Sequence, residues 1–347
     1  MDRHIKIYDT TSKALNSTQE HMERVLITGG GGYVGAVLVP HLLKQGYAVT
    51  VYDLFIYGQE VLSQHPNLTC IKADIRDSVS FSNAVRGCNA VIHLACISND
   101  PSFELDSGLG KSINFDCFPD LVRASKEAGV RRFIYASSSS VYGVKPNQNV
   151  TEDLPLEPLT DYSKFKAECE PILLNEASDN FEVVVIRPAT VCGYSPRLRL
   201  DLAVNILTNH AFNNRKIRVF GGGQMRPNIH IEDMVDAYLL LLRAEAPKIN
   251  QAIYNAGYEN HTVSDIADMV KNIIGSDVQI VTEPTDDNRS YHISSAKIER
   301  ILGFKSTRTI EDAVKGLLKA FEAGMIPNSF NDSRYFNIKR MQEINLS

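Results

Sequence analysis

Val25-Leu26-Ile27-Thr28-Gly29-Gly30-Gly31-Gly32-Tyr33-Val34-Gly35 decides the reading of this chain. An aliphatic, partly β-branched run ends in a cluster of glycines, and an amphipathic stretch follows from Tyr33 to Gln45. Strand, glycine turn and helix in that order form the opening of a dinucleotide-binding βαβ unit. Glycine permits the tight turn and the close approach of backbone to a phosphate; the helix N-terminus then presents free amides and the positive end of its dipole. Gly29, Gly32 and Gly35 fit a Gly-x-x-Gly-x-x-Gly spacing, and Gly30, Gly32 and Gly35 fit Gly-x-Gly-x-x-Gly, so spacing alone leaves both open.

Outward from that turn, short apolar runs alternate with longer amphipathic ones, the pattern of a parallel sheet with crossover helices. Strands are expected at Val25–Thr28, Ala48–Tyr52, Leu68–Ala73, Ala90–Ala95, Arg132–Ser137 and Glu182–Arg187. Helices are expected at Tyr33–Gln45, Ser78–Val85, Ile113–Ala128 and Tyr162–Ala177, which gives a doubly wound α/β (Rossmann) sheet. Pro40 should kink the first helix. After Arg187 the rhythm changes to loops rich in arginine, glycine and proline, with helices at Ser264–Ile274, Ser295–Leu302 and Ile310–Ala323 around a strand at Val278–Val281. A helix over Asn228–Ala244 and a strand at Ala252–Asn255 read as returning to the sheet. The resulting division is an extension over 1–23, a dinucleotide domain over 24–186 with 218–258 returning to it, a smaller C-terminal substrate lobe from 187–217 and 259–330, and a tail over 331–347.

A length of 347 residues accommodates two such lobes, and 44% hydrophobic with 22% charged residues is the balance of a folded chain. The net charge of -5 comes without any lysine- or arginine-rich run, so nucleic acid is not an expected partner. Six dispersed cysteines without a Cys-x-x-Cys pair argue against structural zinc and against a disulfide framework, leaving no metal site expected. The polar first 23 residues do not resemble a signal peptide, and runs such as Tyr238–Leu242 are too short to span a bilayer. A cytoplasmic location away from membranes is the expectation.

Asp53 ends the second expected strand, 18 residues beyond Gly35, near the roughly 20-residue offset of a ribose-binding acid. A carboxylate there accepts ribose hydroxyls and repels a 2′-phosphate, which favours NAD over NADP; the alternative is a solvated turn residue. Asp74 and Ile75 follow the third strand, where they could meet adenine, although an acidic helix N-cap explains Asp74 equally. Tyr162 and Lys166 stand at i and i+4 on one helix face. An ammonium beside a phenol stabilises the phenolate and suits it to general base work, yet the pair also occurs on ordinary exposed helices. Ser137-Ser138-Ser139-Ser140 end a strand where ligands of open α/β sheets bind, and a serine hydroxyl there can donate to a reacting oxygen while accepting from a phenol. A polar strand end before a turn is the plainer explanation.

At these residues the chain resembles the extended short-chain dehydrogenases/reductases, the NAD-dependent epimerases and dehydratases of nucleotide sugars. The resemblance runs from Arg24 to about Ala323. Thr28–Gly35 resembles that family's phosphate loop, His93-Leu94-Ala95-Cys96 its fourth-strand element, and Asn114 an asparagine that braces the active site. The resemblance implies Tyr162 as base, Lys166 as the group that tunes it and Ser138 as catalytic hydroxyl. It further implies NAD contacts at Gly29, Gly32, Tyr33, Val34, Gly35, Asp53, Asp74, Ile75, Leu94, Ala95, Ser137, Tyr162, Lys166 and Pro188. For a nucleoside-diphosphate sugar it implies Ser98, Asn99, Ser138, Thr190, Arg199, Arg226 and Arg289, arginine being suited to a diphosphate by its planar fork. Surface salt bridging is the other explanation for Arg289.

Departures from the family pattern narrow the chemistry. Ser139-Ser140 stand where 4,6-dehydratases carry an Asp-Glu pair, and Thr190 replaces an asparagine common in epimerases. Tyr194-Ser195-Pro196-Arg197-Leu198-Arg199-Leu200-Asp201-Leu202 is similar to a subgroup that oxidises nucleotide-activated heptoses at C4. The leading expectation is therefore an oxidoreductase or epimerase acting at C4 of the sugar. The alternatives are a sugar-nucleotide 4-dehydrogenase of the GDP-heptose type, a dehydratase or reductase, or a non-catalytic NAD-binding regulatory subunit. The resemblance also implies a homodimer through the helices at Ile113–Ala128 and Tyr162–Ala177.

Overall fold

The computed structural model describes residues 22–145, 149–285, 290 and 292–347. The first half runs β1 (Arg24–Thr28), α1 (Gly35–Lys44), β2 (Ala48–Asp53), β3 (Leu68–Lys72), α2 (Ser78–Ala84) and β4 (Ala90–His93). It continues through α3 (Asp100–Glu104), α4 (Ser107–Lys111), a π-helical turn (Ser112–Asp116), α5 (Phe118–Glu127), β5 (Arg132–Ala136), a 3-10 turn (Ser139–Tyr142) and α6 (Asp161–Leu174). The second half adds β6 (Glu182–Pro188), β7 (Thr190–Cys192), α7 (Ala203–Asn214), β8 (Lys216–Phe220), β9 (Met225–His230), α8 (Ile231–Arg243) and α9 (Ala246–Ile249). Then come β10 (Ala252–Ala256), β11 (Glu259–Thr262), α10 (Val263–Ile274), β12 (Gln279–Glu283), α11 (Ala296–Leu302), α12 (Ile310–Glu322) and α13 (Asn337–Glu343).

Seven parallel strands make the central sheet in the order β10-β6-β5-β4-β1-β2-β3. Successive side chains of a strand point to opposite faces, and β1 divides its residues accordingly. Val25 and Ile27 enter the core shared with Leu38, Leu42, Met234 and Tyr238 of α1 and α8, while Leu26 enters the opposite core with Phe118, Leu121, Cys169 and Leu173 of α5 and α6. Helices on both faces explain why β1, β4 and β5 read as nearly unbroken apolar runs. A third cluster, built from Val204, Leu207, Ile217, Ile266, Val270 and Val314, forms the core of the smaller lobe, where β8 and β12 pair in parallel. Among the described residues no helix is long and apolar enough to cross a membrane.

The expected strands and crossover helices of the dinucleotide half are all present, each displaced by no more than a few residues. Two departures from expectation are informative. Asn228–His230 is not helical: it belongs to β9, paired with both β7 and β11, and the helix begins only at Ile231, where Nδ1 of His230 accepts the Glu232 amide at 3.1 Å. Residues 218–230 therefore serve the small sheets, and the return to the main sheet is α8 and β10. Pro40 lies inside α1, which continues to Lys44 with the proline on its exposed side. Residues 331–347, expected as a tail, carry α13, whose Asn337 and Met341 are buried.

α8 is tied to the sheet by a buried cation. Nε of Arg132 donates to Glu182 at 2.7 Å, and its Nη atoms donate to the carbonyls of Leu241, Leu242 and Ala244, which end α8. Removing one partner of such a pair leaves the other charge buried alone. Arg132→Met is expected to lower unfolding free energy by about 3–5 kcal/mol, measured by urea denaturation; a loss below about 1 kcal/mol, the range of an exposed pair, contradicts this account.

Candidate active site

A cavity of about 340 Å³ opens along the C-terminal ends of the central strands, where open α/β sheets bind ligands. The glycine turn forms its floor. Gly29 has φ +73°, and a Cβ there would lie 2.6 Å from the backbone nitrogen of Ala95. A Cβ on Gly35 would lie 2.5 Å from Cα of Gly30, so the start of α1 packs too closely for any side chain. Gly29, Gly32 and Gly35 line the cavity and Gly30 does not, which resolves the two spacings in favour of Gly-x-x-Gly-x-x-Gly.

Asp53 lines the cavity at the end of β2. Its Oδ2 accepts the Gly31 amide at 2.9 Å and its Oδ1 accepts the Phe55 amide at 2.6 Å. Burial raises its pKa, and the two amides oppose that shift. The carboxylate is thereby aimed by the glycine turn itself. Tyr33, Val34, Ile75, Leu94, Ala95, Ser137 and Pro188 line the same cavity. Asp74 does not: its carboxylate is engaged by Arg76, with Nε to Oδ1 at 3.0 Å and Nη2 to Oδ2 at 2.6 Å, and that contact lowers its pKa. The N-cap of α2 is Asp77, whose Oδ1 accepts the Ser80 amide at 2.9 Å.

At the other end of the cavity, α6 starts with a capping box between Thr160 and Ser163, which fixes its first turn around Tyr162. Tyr162, Lys166 and Ser138 all line the cavity. Lys166 is 3% exposed, donates from Nζ to the Ala136 carbonyl at 2.7 Å and sits 5.1 Å from the Tyr135 ring centroid. Burial pushes the Tyr162 phenol well above its ordinary pKa, helped by Cys96 and Asp100, while Arg199 and a hydrogen bond with Ser138 pull it back. Ser138 Oγ in turn lies 2.8 Å from Ser140 Oγ. His93 beneath this end is held neutral, its pKa lowered to about 3 by burial and by Lys166, with Nδ1 2.7 Å from Thr28 Oγ1.

Ser98, Asn99, Thr190 and Arg199 line the same cavity. Nε of Arg199 donates to Asp201 at 2.8 Å and Nη1 to Ser98 Oγ at 3.0 Å. Asn114 braces the cavity wall: Oδ1 accepts the Ile97 amide at 2.8 Å and Nδ2 donates to the Ile97 carbonyl at 2.9 Å. Asn99 takes φ +74° and caps α3 through Ser102. Arg226, half-buried on β9, is not among the cavity-lining residues, and Arg289 lies outside the described residues.

Sequence reasoning missed Tyr57, Arg197, Asn337, Met341 and Leu346, all of which line the cavity. Arg197 stands two residues before Arg199, a signal of same-side placement in an extended segment. Asn337 has no local signal, since it reaches the site only through tertiary packing. Glu170 was also missed, although it stands one helical turn beyond Lys166. It is 2% exposed, accepts the Ser137 hydroxyl at 2.6 Å and pairs with Arg187, whose Nε donates at 2.9 Å.

The model of the NAD dependent epimerase/dehydratase family matches residues 25–257. The chain belongs to that family and is an enzyme of that type whose cofactor is NAD. The UDP-glucose 4-epimerase of Lactobacillus helveticus is 26% identical over 303 residues, spanning 81% of this chain and 92% of the relative. A UDP-glucose 4-epimerase structure from Thermotoga maritima superposes with a TM-score of 0.79 at 23% identity, covering 87% of this chain and 99% of that one. A UDP-glucuronic acid 4-epimerase from Bacillus cereus gives a TM-score of 0.78 at 24% identity, covering 86% of this chain and 99% of that one. The glycine cradle that a Cβ would fill, and the acid at the end of β2, fit the dinucleotide.

Gly29→Ala tests that cradle, because its Cβ would meet backbone rather than a movable side chain. The variant is expected to bind NAD at least about tenfold more weakly, the cost of roughly one lost charge-assisted hydrogen bond, measured by calorimetric titration. Unchanged affinity would show that the turn does not approach the cofactor.

Proposed function

We propose that this enzyme oxidises, and as an epimerase re-reduces, the C4 hydroxyl carbon of a nucleoside-diphosphate sugar. The observation that carries the reading is the convergence of Tyr162, Lys166 and Ser138 on the cavity that also holds the glycine turn and Asp53. The related UDP-sugar 4-epimerases support the choice of substrate class and of carbon.

Tyr162, as phenolate, takes the proton of the sugar hydroxyl, and Ser138 holds the same oxygen by donating to it. Lys166, one helical turn on and lining the same cavity, favours the ionised phenol by its charge, and Arg199 lowers the phenol pKa from the loop after β7. Bound NAD supplies the acceptor for the hydride that leaves the same carbon and the donor that restores it. Buried apolar walls keep water from the exposed carbonyl between the two half-reactions. Ser98, Asn99 and Thr190 offer hydrogen bonds to the sugar. The diphosphate extends toward β9, which carries Arg226 and pairs with β7 at Thr190↔Asn228. Hydroxyls at Ser139 and Ser140 cannot act as the acid and base of water elimination, which favours epimerisation or net oxidation over dehydration.

Incubation with a panel of nucleotide sugars, followed by product stereochemistry, tests this reading. Tyr162→Phe is expected to retain NAD and to lose turnover by about 10²–10⁴-fold; turnover near wild type removes the proposed base. Because burial raises the phenol pKa and the base form is the active one, kcat/KM is expected to rise with pH until Tyr162 ionises. Lys166→Met should displace that limb to higher pH, and a pH profile with an unmoved limb contradicts the tuning role.

A further inference from the structure

Arg197 is buried, 4% exposed, and uses little of its hydrogen-bonding capacity. Nη2 donates to Oδ1 of Asn337, whereas Nε and Nη1 are buried without an acceptor. Its guanidinium lies over Tyr57, with Cζ 3.5 Å from the ring centroid. No carboxylate pairs with it among the described residues, and burial pulls its pKa down. A buried cation in that condition calls for an anion.

Position identifies the anion. Arg197 lines the cavity at the cofactor end, where its charge acts on Asp53 and on Tyr33 of the glycine turn. The loop that carries it is laid over that turn: the Tyr33 hydroxyl donates to the Gly193 carbonyl at 2.6 Å, and Ser195 Oγ donates to the Tyr33 carbonyl at 2.8 Å. Arg199, by contrast, is paired with Asp201, which leaves only its Nη2 buried without an acceptor, and its charge reaches Tyr162 as well as Tyr33. An anion between the glycine turn and the ribose acid is the pyrophosphate of a dinucleotide.

The α13 segment holds this arrangement. Besides accepting from Arg197, Asn337 Oδ1 accepts the Tyr57 hydroxyl at 2.9 Å, its Nδ2 donates to Ser98 Oγ at 3.0 Å and its amide donates to Asp201 at 3.0 Å. Met341 and Leu346 continue the wall beside Ile75 and Ile113 at the apolar end of the cavity, which suits an adenine ring. We propose that Arg197 binds the cofactor pyrophosphate and that the α13 segment, through Asn337, positions that guanidinium and closes the adenosine half of the pocket, so that NAD is retained through turnover. The proposal rests on the cofactor of the family and not on the identity of the sugar. Retention suits a reaction that returns its hydride within one site, as epimerisation does.

The test measures NAD bound after exhaustive gel filtration, NAD affinity by calorimetry, and affinity for UDP, the probe for a substrate pyrophosphate, in the same preparations. Arg197→Met is expected to weaken NAD by about 10- to 100-fold and to leave UDP affinity within twofold. The melting temperature of the cofactor-free protein should not fall, because an unpaired buried charge has been removed. Arg197→Lys should recover part of the affinity, and Asn337→Ala should weaken NAD about tenfold by releasing the guanidinium. Wild-type NAD affinity in Arg197→Met overturns the anchor, as does a loss confined to UDP. Leu346→Asp, which alters neither Arg197 nor Asn337, is expected to speed NAD loss; unchanged retention in that variant overturns the closure even if Arg197→Met fails to fold.

Discussion

The carboxylate of Glu170 is the constraint on which the candidate active site depends. It lies buried between α6, which carries it, and the ends of β5 and β6, which supply Ser137 and Arg187. Arg187 also donates to the Tyr142 hydroxyl at 2.7 Å, and Tyr142 donates to Asn255 of β10 at 2.7 Å. One charged network thus spans three strands of the sheet, the turn after β5 and the helix of Tyr162 and Lys166. A helix docked by apolar contacts alone can slide or rotate with little penalty, whereas a buried pair loses several kcal/mol if its partners separate. The Tyr162 hydroxyl is therefore held relative to Ser138 by charge as well as by packing.

Two positive groups from different elements line the cavity with the phenol. Lys166 comes from the same helix, and Arg199 comes from the loop after β7, fixed by Asp201 and Ser98. Burial outweighs the pull of Arg199 and of Ser138, and the phenol pKa stays well above its ordinary value. The site is thereby poised: added positive charge beside the ring is what shifts the balance toward the phenolate, coupling the base to the state of the cofactor pocket.

Much of this was legible in the sequence because local periodicity decides it. The glycine turn, the alternation of strand and helix, Asp53 after β2, and Tyr162 four residues before Lys166 are all short-range patterns. Asn114 and Ser138 became legible through family resemblance. What escaped was tertiary. Asn228–His230 read as helix because its strand character comes from pairing on both sides. That Arg76 folds back onto Asp74 is likewise declared by no local pattern. Asn337 lies in a segment with no glycine motif or strand rhythm, and only the packed structure brings it to Ser98, Tyr57 and Arg197.

The central claim is that Tyr162 and NAD act on one carbon, C4 of the sugar. Incubation with a nucleotide sugar deuterated at C4, followed by mass spectrometry of the product and of the bound cofactor, examines it directly. The account predicts deuterium that passes to the nicotinamide and is kept at C4 of the product without exchange into solvent. Washout of the label to water, or turnover of the sugar with the deuterium never reaching the cofactor, would contradict it.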